Sequence, residues 1–220
     1  MKPDFLIGGA RVVVAVALLG SVAWQVTDRL LNDLFRPAEY FAFFSIVSAI
    51  LVALALLASG ITAMLGMAES KRMAVIRITA VTSMLVVAIV YHALLAGGAP
   101  DPRDVGYDWP VVPNQVIHTY APIAIALDYL LVHRRDPLRL RQAFWAVVYP
   151  LTWLAFSIVR GLSDGWWPYW FIDPSGAGGV GSMIGYVVAI SAFFIVLALA
   201  LIALARLSFR LMKRKTSADS

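Results

Sequence analysis

The sequence predicts an all-α polytopic membrane protein with six transmembrane helices and both termini on the cytoplasmic side. Three observations predict it. The 220 residues are 61% hydrophobic and only 14% charged, whereas soluble domains run near half apolar and a quarter charged. Apolar stretches of about 20 residues, the length that crosses a hydrocarbon core, recur at 9–30, 37–66, 73–96, 113–133, 141–162 and 180–206. The cations between them are unevenly shared. When alternate connections are assigned to opposite sides, one side receives Lys2, Arg11, Lys71, Arg72, Arg77, Arg134, Arg135, Arg139, Arg141, Arg206, Arg210, Lys213, Arg214 and Lys215. The other receives only Arg29, Arg36, Arg103 and Arg160. Positive connections stay cytoplasmic, which puts the first side inside.

Each stretch has its own logic. The first, 9–30, follows Lys2 and resembles a signal peptide over Val12 to Trp24. Its apolar run continues to Thr27 with no small-residue cleavage site, so it is taken as a retained span. The third and fourth stretches are joined on the outer side by the Pro- and Asp-rich segment Gly97 to Pro113. The fifth and sixth are joined by Trp166, Trp167, Pro168, Tyr169, Trp170 and Phe171, then a Gly-rich run. Trp and Tyr favour the headgroup level, so an interfacial anchor explains that cluster without a further role. No soluble-domain-sized segment intervenes, and 1–220 is one domain. The tail after Arg206 is basic, then polar, and is expected to fray.

With no cysteine, disulfides, thiolate metal sites, cysteine nucleophiles and palmitoylation are excluded. The net charge of +5 follows membrane topology rather than a basic face, so no nucleic-acid partner is expected. No metal site and no cofactor are expected either.

Ionisable groups inside a span are costly and mark function or pairing. Arg77 lies about one turn into the third stretch, and Asp128 about one turn before the end of the fourth. Antiparallel neighbours would match their depths, which reads as a structural ion pair. A second group sits toward the outer side. Ser45 is roughly 12 Å into its stretch and His118 roughly 8 Å into its own. Tyr91 and His92 lie near the outer end of the third stretch, and Arg160 and Asp164 close the fifth. Asn114 shares a helix face with His118. Pro122, four residues on, leaves the His118 carbonyl without a donor. In lipid that carbonyl needs protein or water around it, so this region faces a cavity.

Such a layer suits acyl chemistry. A serine hydroxyl becomes a nucleophile when histidine takes its proton. Asn114 would orient the imidazole or support an oxyanion, and Arg160 would hold a carboxylate or phosphate. The same residues also admit plain structural roles. A transmembrane serine often bonds back to the carbonyl four residues earlier, and an intramembrane histidine can simply satisfy a neighbour.

Four stretches stand out: Tyr40-Phe41-Ala42-Phe43-Phe44-Ser45-Ile46-Val47-Ser48; Val90-Tyr91-His92-Ala93-Leu94-Leu95; Asn114 to Pro122 with Leu127-Asp128-Tyr129; and Tyr149-Pro150 through Arg160-Gly161 to Gly165-Trp166-Trp167-Pro168-Tyr169-Trp170-Phe171-Ile172-Asp173-Pro174. In these the chain resembles the six-helix membrane proteins of the androgen-induced gene one family. The resemblance implies an intramembrane hydrolase of fatty-acid esters of hydroxy fatty acids. It maps a nucleophile onto Ser45 and a base onto His118, with serine standing where the family has threonine. Asn114, Tyr91, His92, Arg160, Trp167 and Asp173 become supporting or substrate-binding residues. The implied partner is a membrane lipid, and the implied location is a bacterial inner membrane. Two other classes remain open at this stage. One is a transporter or lipid-binding scaffold hinged at Pro122 and Pro150, although no inverted repeat is visible. The other is haem ligation by His92 and His118.

Overall fold

In the computed structural model, residues 3–98, 101–132, 138–176 and 178–218 are described, with side chains through Met212. Lys2, His133, Arg134, Arg135 and the side chains of Lys213, Arg214 and Lys215 lie outside that set. All regular structure among the described residues is helical. In chain order, the α-helices are α1 (Pro3–Leu31), α2 (Pro37–Tyr40), α3 (Phe44–Met64), α4 (Lys71–Val90), α5 (Val111–Gln115), α6 (Ala121–Leu131), α7 (Val148–Asp164) and α8 (Gly179–Ala218).

Among the described residues, five segments are long and apolar enough to cross a membrane: Pro3–Leu31, Phe44–Met64, Lys71–Leu95, Leu140–Asp164 and Gly179–Met212. Their outward side chains agree with a lipid surround. Val16, Leu54, Ile76, Phe156, Val159, Val188 and Val196 are all exposed, an arrangement that water would penalise. The stretch expected at 113–133 is the exception. It forms a helical path from Val111 to Leu131, but Asn114, Gln115, His118 and Thr119 make its first half polar. Its buried side, including Pro113, Ile117, His118 and Pro122, turns into the bundle.

The helices pack through small residues. Gly8 of α1 and Gly60 of α3 meet backbone to backbone. A Cβ on Gly8 would fall 2.5 Å from the Gly60 carbonyl oxygen, so only glycine allows this approach. One core runs through Leu18, Ala53, Ile78, Val81, Met84, Ile117, Ile125 and Ile202. A second, smaller one gathers Phe44, Val86, Val87 and Phe194. Local signals set several ends. Ser70 caps α4 by accepting the Met73 N–H at 3.1 Å. Gly165 ends α7 at φ 76°, the left-handed conformation that suits glycine. The expected fraying after Arg206 is not observed, because α8 continues to Ala218. Leu, Lys, Arg and Met are good helix formers, and cations suit a helix C-terminus.

Charges form two layers. At one level Arg77 Nη2 lies 2.7 Å from Asp128 Oδ2, and its Nη1 lies 3.0 Å from Glu69. Arg11 of α1 joins them, its Nε 3.0 Å from Asp128 Oδ1 with the side chain only 1% exposed. Two guanidiniums thus face two carboxylates, which makes the buried layer neutral. At the opposite end, Arg36 reaches Glu39 and Asp104 at 3.1 and 2.7 Å, and Arg103 reaches Glu39 and Asp101 at 2.8 and 2.6 Å. This network fastens the 101–104 turn to α2.

Candidate active site

The stretch read as one helix over 37–66 is interrupted. After α2, Phe43 adopts an extended conformation (φ −64°, ψ 130°) and α3 starts at Phe44. Aromatic packing holds the break. Tyr40 is buried and its hydroxyl lies 2.9 Å from Gln25 Oε1. Trp153 Nε1 donates to the Ala42 carbonyl at 2.9 Å. The Phe44 ring stacks on Tyr149 at 5.2 Å and meets Trp153 edge-on at 5.1 Å.

Ser45 therefore stands in the first turn of α3, not two turns deep in a helix. The first N–H groups of a helix have no partner four residues back, and Phe43 offers no side-chain cap. The hydroxyl of Tyr169, from the Trp/Tyr-rich connection, supplies one by accepting the Ser45 N–H at 3.4 Å. The half-buried Ser45 side chain is thus on a helix N-terminus whose Ser45 N–H goes to Tyr169 and whose Ile46 and Val47 N–H groups go to the Phe43 carbonyl.

His118 sits in a single π-helical turn, Val116–Tyr120, between α5 and α6. Ala121 N–H bonds the Val116 carbonyl, five residues back. The wider turn accommodates Pro122, which has no N–H to give. His118 is 8% exposed. Its Nδ1 lies 2.9 Å from the Asn114 carbonyl oxygen. A carbonyl only accepts, so Nδ1 carries the proton and Nε2 keeps its lone pair. The ring stacks on Tyr91 with centroids 4.0 Å apart. The Asn114 amide in turn donates to the Tyr91 hydroxyl at 2.6 Å. Asn114 thus fixes the imidazole through its carbonyl and through the tyrosine stacked upon it.

Ser45, His118 and Tyr91 line one cavity of about 90 Å³. Its remaining wall is mostly apolar, with Val87 of α4, Leu151 and Leu154 of α7, and Ile190 and Phe194 of α8, while Tyr169 and Ser191 add two hydroxyls. That volume holds several water molecules, and α7 and α8 are the least buried of its walls. Among the described residues, no hydrogen bond joins Ser45 Oγ to His118.

The other sequence candidates lie elsewhere. His92 is exposed, in a second π-helical turn, Tyr91–Leu95. Its Nε2 lies 3.1 Å from Thr119 Oγ1, which donates to Gln115 Oε1 at 2.8 Å. That hydroxyl proton is spent on Gln115, so the His92 N–H is the donor in the first contact. Arg160 does not line the cavity. It pairs with Asp164 at 3.0 Å, donates to the Ala38 carbonyl and lies over the Trp166 ring at 4.4 Å. Trp167 covers Gly161, where a Cβ would come within 2.5 Å of the indole. Asp173 accepts the Ser175 N–H and hydroxyl at 2.8 and 2.6 Å and closes a local turn. Among the described residues no group of three His, Cys, Asp or Glu is placed to hold a metal ion.

Several contributors are invisible to spacing alone. Tyr169 reads as one more interfacial aromatic, although it caps the helix bearing Ser45. Ser48 is fully buried and hydrogen-bonds the Tyr149 hydroxyl at 2.9 Å. Comparison of the chain with protein-family models, with curated proteins and with solved structures returned no match.

Proposed function

We propose that this protein is an intramembrane hydrolase of lipid esters, with Ser45 as nucleophile and His118 as general base. The observation that carries the reading is the shared cavity. Ser45 and His118 come from different helices, and both line one apolar pocket beside α7 and α8. The histidine tautomer adds support, because Nδ1 is committed to Asn114 and the free Nε2 is the nitrogen that can take a proton. So does the sequence resemblance to a family of such hydrolases.

In this reading an ester enters from the bilayer with its acyl chain along Leu151, Leu154, Ile190 and Phe194. His118 Nε2 takes the Ser45 hydroxyl proton as Oγ bonds the ester carbonyl carbon. The oxyanion that forms lies at the N-terminus of α3, whose dipole favours negative charge, in a water-poor site where that stabilisation is most effective. His118 returns the proton to the departing alcohol oxygen as the ester C–O bond breaks. Water then attacks the acyl-serine, again with His118 as base, and releases the acid. Six spans with both termini inside complete the proposal: the polar 111–131 segment is the sixth, shielded by its neighbours. The Lys/Arg bias puts the Arg11–Glu69–Arg77–Asp128 layer toward the cytoplasm, and a bacterial inner membrane is the proposed location.

A lipid-binding scaffold is the second reading, favoured by the lack of a hydrogen bond between Ser45 and His118. The haem reading gains no support, since His92 is exposed and bonded to Thr119. Labelling of purified protein by a fluorophosphonate, beside Ser45→Ala, His118→Ala and Asn114→Ala, separates the first two. The hydrolase reading expects no labelling or ester turnover in the first two variants. It expects partial activity in the third, whose backbone carbonyl still holds His118. Full turnover in Ser45→Ala ends it, and an unreactive wild type favours the scaffold.

A further inference from the structure

Next to the cavity, on the side of α2 and the Trp-rich connection, opens a larger vestibule of about 660 Å³. Three guanidiniums, of Arg29, Arg36 and Arg103, and three carboxylates, of Glu39, Asp101 and Asp104, line it with Trp109. The three guanidiniums are not equivalent. Arg36 and Arg103 are tied to Glu39, Asp101 and Asp104 at 2.6–3.1 Å. Arg29 has no carboxylate within ion-pair distance among the described residues. It is clamped between rings instead, 3.7 Å from the Trp109 centroid and 4.7 Å from that of Tyr40. One Nη1 hydrogen is given to the Gln25 carbonyl at 3.2 Å. A guanidinium has five N–H donors, so most of its fork is uncommitted.

Ring stacking orients a guanidinium and leaves its in-plane edge open, the geometry that suits a bidentate oxyanion. The vestibule and the cavity are neighbours in the chain as well as in space. Phe43 and Trp170 line the first, Phe44 and Tyr169 the second. The Phe43 ring lies between, 5.7 Å from Tyr169 and 5.6 Å from Trp166. The two compartments share no lining residue, so a molecule that reaches both passes the Phe43 ring with a charged end on one side and an apolar chain on the other.

We propose that the vestibule is an oxyanion subsite in which Arg29, held by Trp109 and Tyr40, takes the carboxylate or phosphate end of a single-chain lipid whose chain passes Phe43 and enters the open cavity beside α7 and α8. The proposal rests on reading the cavity as a lipid site, but not on catalysis by Ser45. It moves the anion-holding role from Arg160, which is already occupied, to Arg29.

Binding titrations on the purified full chain in an uncharged detergent test it, with palmitate, hexadecyl phosphate, hexadecanol and inorganic phosphate as probes. One charge-assisted bidentate contact predicts that an anionic amphiphile binds at least about tenfold tighter than hexadecanol. Arg29→Gln should remove that difference, and Arg29→Lys should keep part of it. The ratio of palmitate to hexadecyl phosphate identifies the preferred anion. Saturable binding of inorganic phosphate, lost in Arg29→Gln, keeps the subsite but overturns the lipid as its occupant. Equal binding of palmitate, hexadecyl phosphate and hexadecanol by the wild type overturns the proposal without any variant. So does a preference for anions that survives Arg29→Gln. The titrations read binding alone and require no turnover, so failure of the hydrolase reading leaves this result standing.

Discussion

The hydroxyl of Tyr169 accepts the backbone N–H of Ser45 at 3.4 Å. A side chain from the aromatic connection thereby closes the open end of the helix that carries the candidate nucleophile. Tyr169→Phe keeps the ring contacts with Phe43 and Phe171 and removes only the hydroxyl. The expected result is a stability loss of about 1 kcal/mol, the usual worth of such a hydrogen bond, read as a lower thermal midpoint in detergent. An unchanged midpoint would mean that α3 starts without this cap.

The Arg11–Glu69–Arg77–Asp128 layer predicts an order of damage. Asp128 touches both guanidiniums, so Asp128→Asn leaves two buried cations facing one carboxylate. Losses of about 3–5 kcal/mol are typical when one member of a buried pair is removed. Arg77→Gln should be damaging as well. Arg77→Gln with Glu69→Gln restores neutrality and should recover part of the loss. Thermal unfolding of the three variants decides it. A double variant no better than Arg77→Gln alone would show that charge balance is not what holds the layer.

Adjacent glycines in α1 offer a sharper contrast. Gly8→Ala pushes a methyl to within 2.5 Å of the Gly60 carbonyl oxygen, whereas Gly9→Ala meets nothing within 4 Å. Overpacking of this kind costs about 1–3 kcal/mol, while an open helical glycine gains slightly from alanine. The two variants should therefore shift the midpoint in opposite directions. Equal shifts would mean that α1 does not seat on α3 at Gly8.

Acid should loosen the outer network. Hydrogen bonds from Arg103 hold the Asp101 carboxyl at about 2, below its ordinary 3.8. A depressed folded value means that the contribution is complete above 3.8 and disappears as pH falls toward 2. Asp101→Asn should be less stable than the wild type at pH 7, and the gap should close near pH 2. The pair is partly exposed, so added salt should also narrow it. A gap that is independent of pH would contradict the ionic origin.

Apolar length makes the long helices legible in the sequence, and the rise per residue makes depth legible. Counting that rise puts Arg77 and Asp128 at one level. It has no means of finding Glu69, which lies between two stretches and reaches in, or Arg11, which a charge count assigns to topology. The break before α3 is hidden for a different reason. Tyr40-Phe41-Ala42-Phe43-Phe44 is uniformly apolar, and only Trp153, Tyr149 and Tyr169, distant in sequence, decide where the helix begins. Depth counting likewise put Arg160 near Ser45 and His118 but could not see that Asp164, Trp166 and the Ala38 carbonyl engage it first.

The π-helical turn at Val116–Tyr120 holds one residue more than an α-helical turn of the same span. Because its hydrogen bond runs five residues back rather than four, the wider turn absorbs that residue and hands the helix on in nearly the phase of an α-helix one residue shorter. Winding the same residues as regular α-helix would instead rotate Asp128 by roughly 100° relative to Asn114. Either the imidazole would leave its pocket or the aspartate would leave its arginines. One helix thus keeps both polar layers facing their partners by widening a single turn.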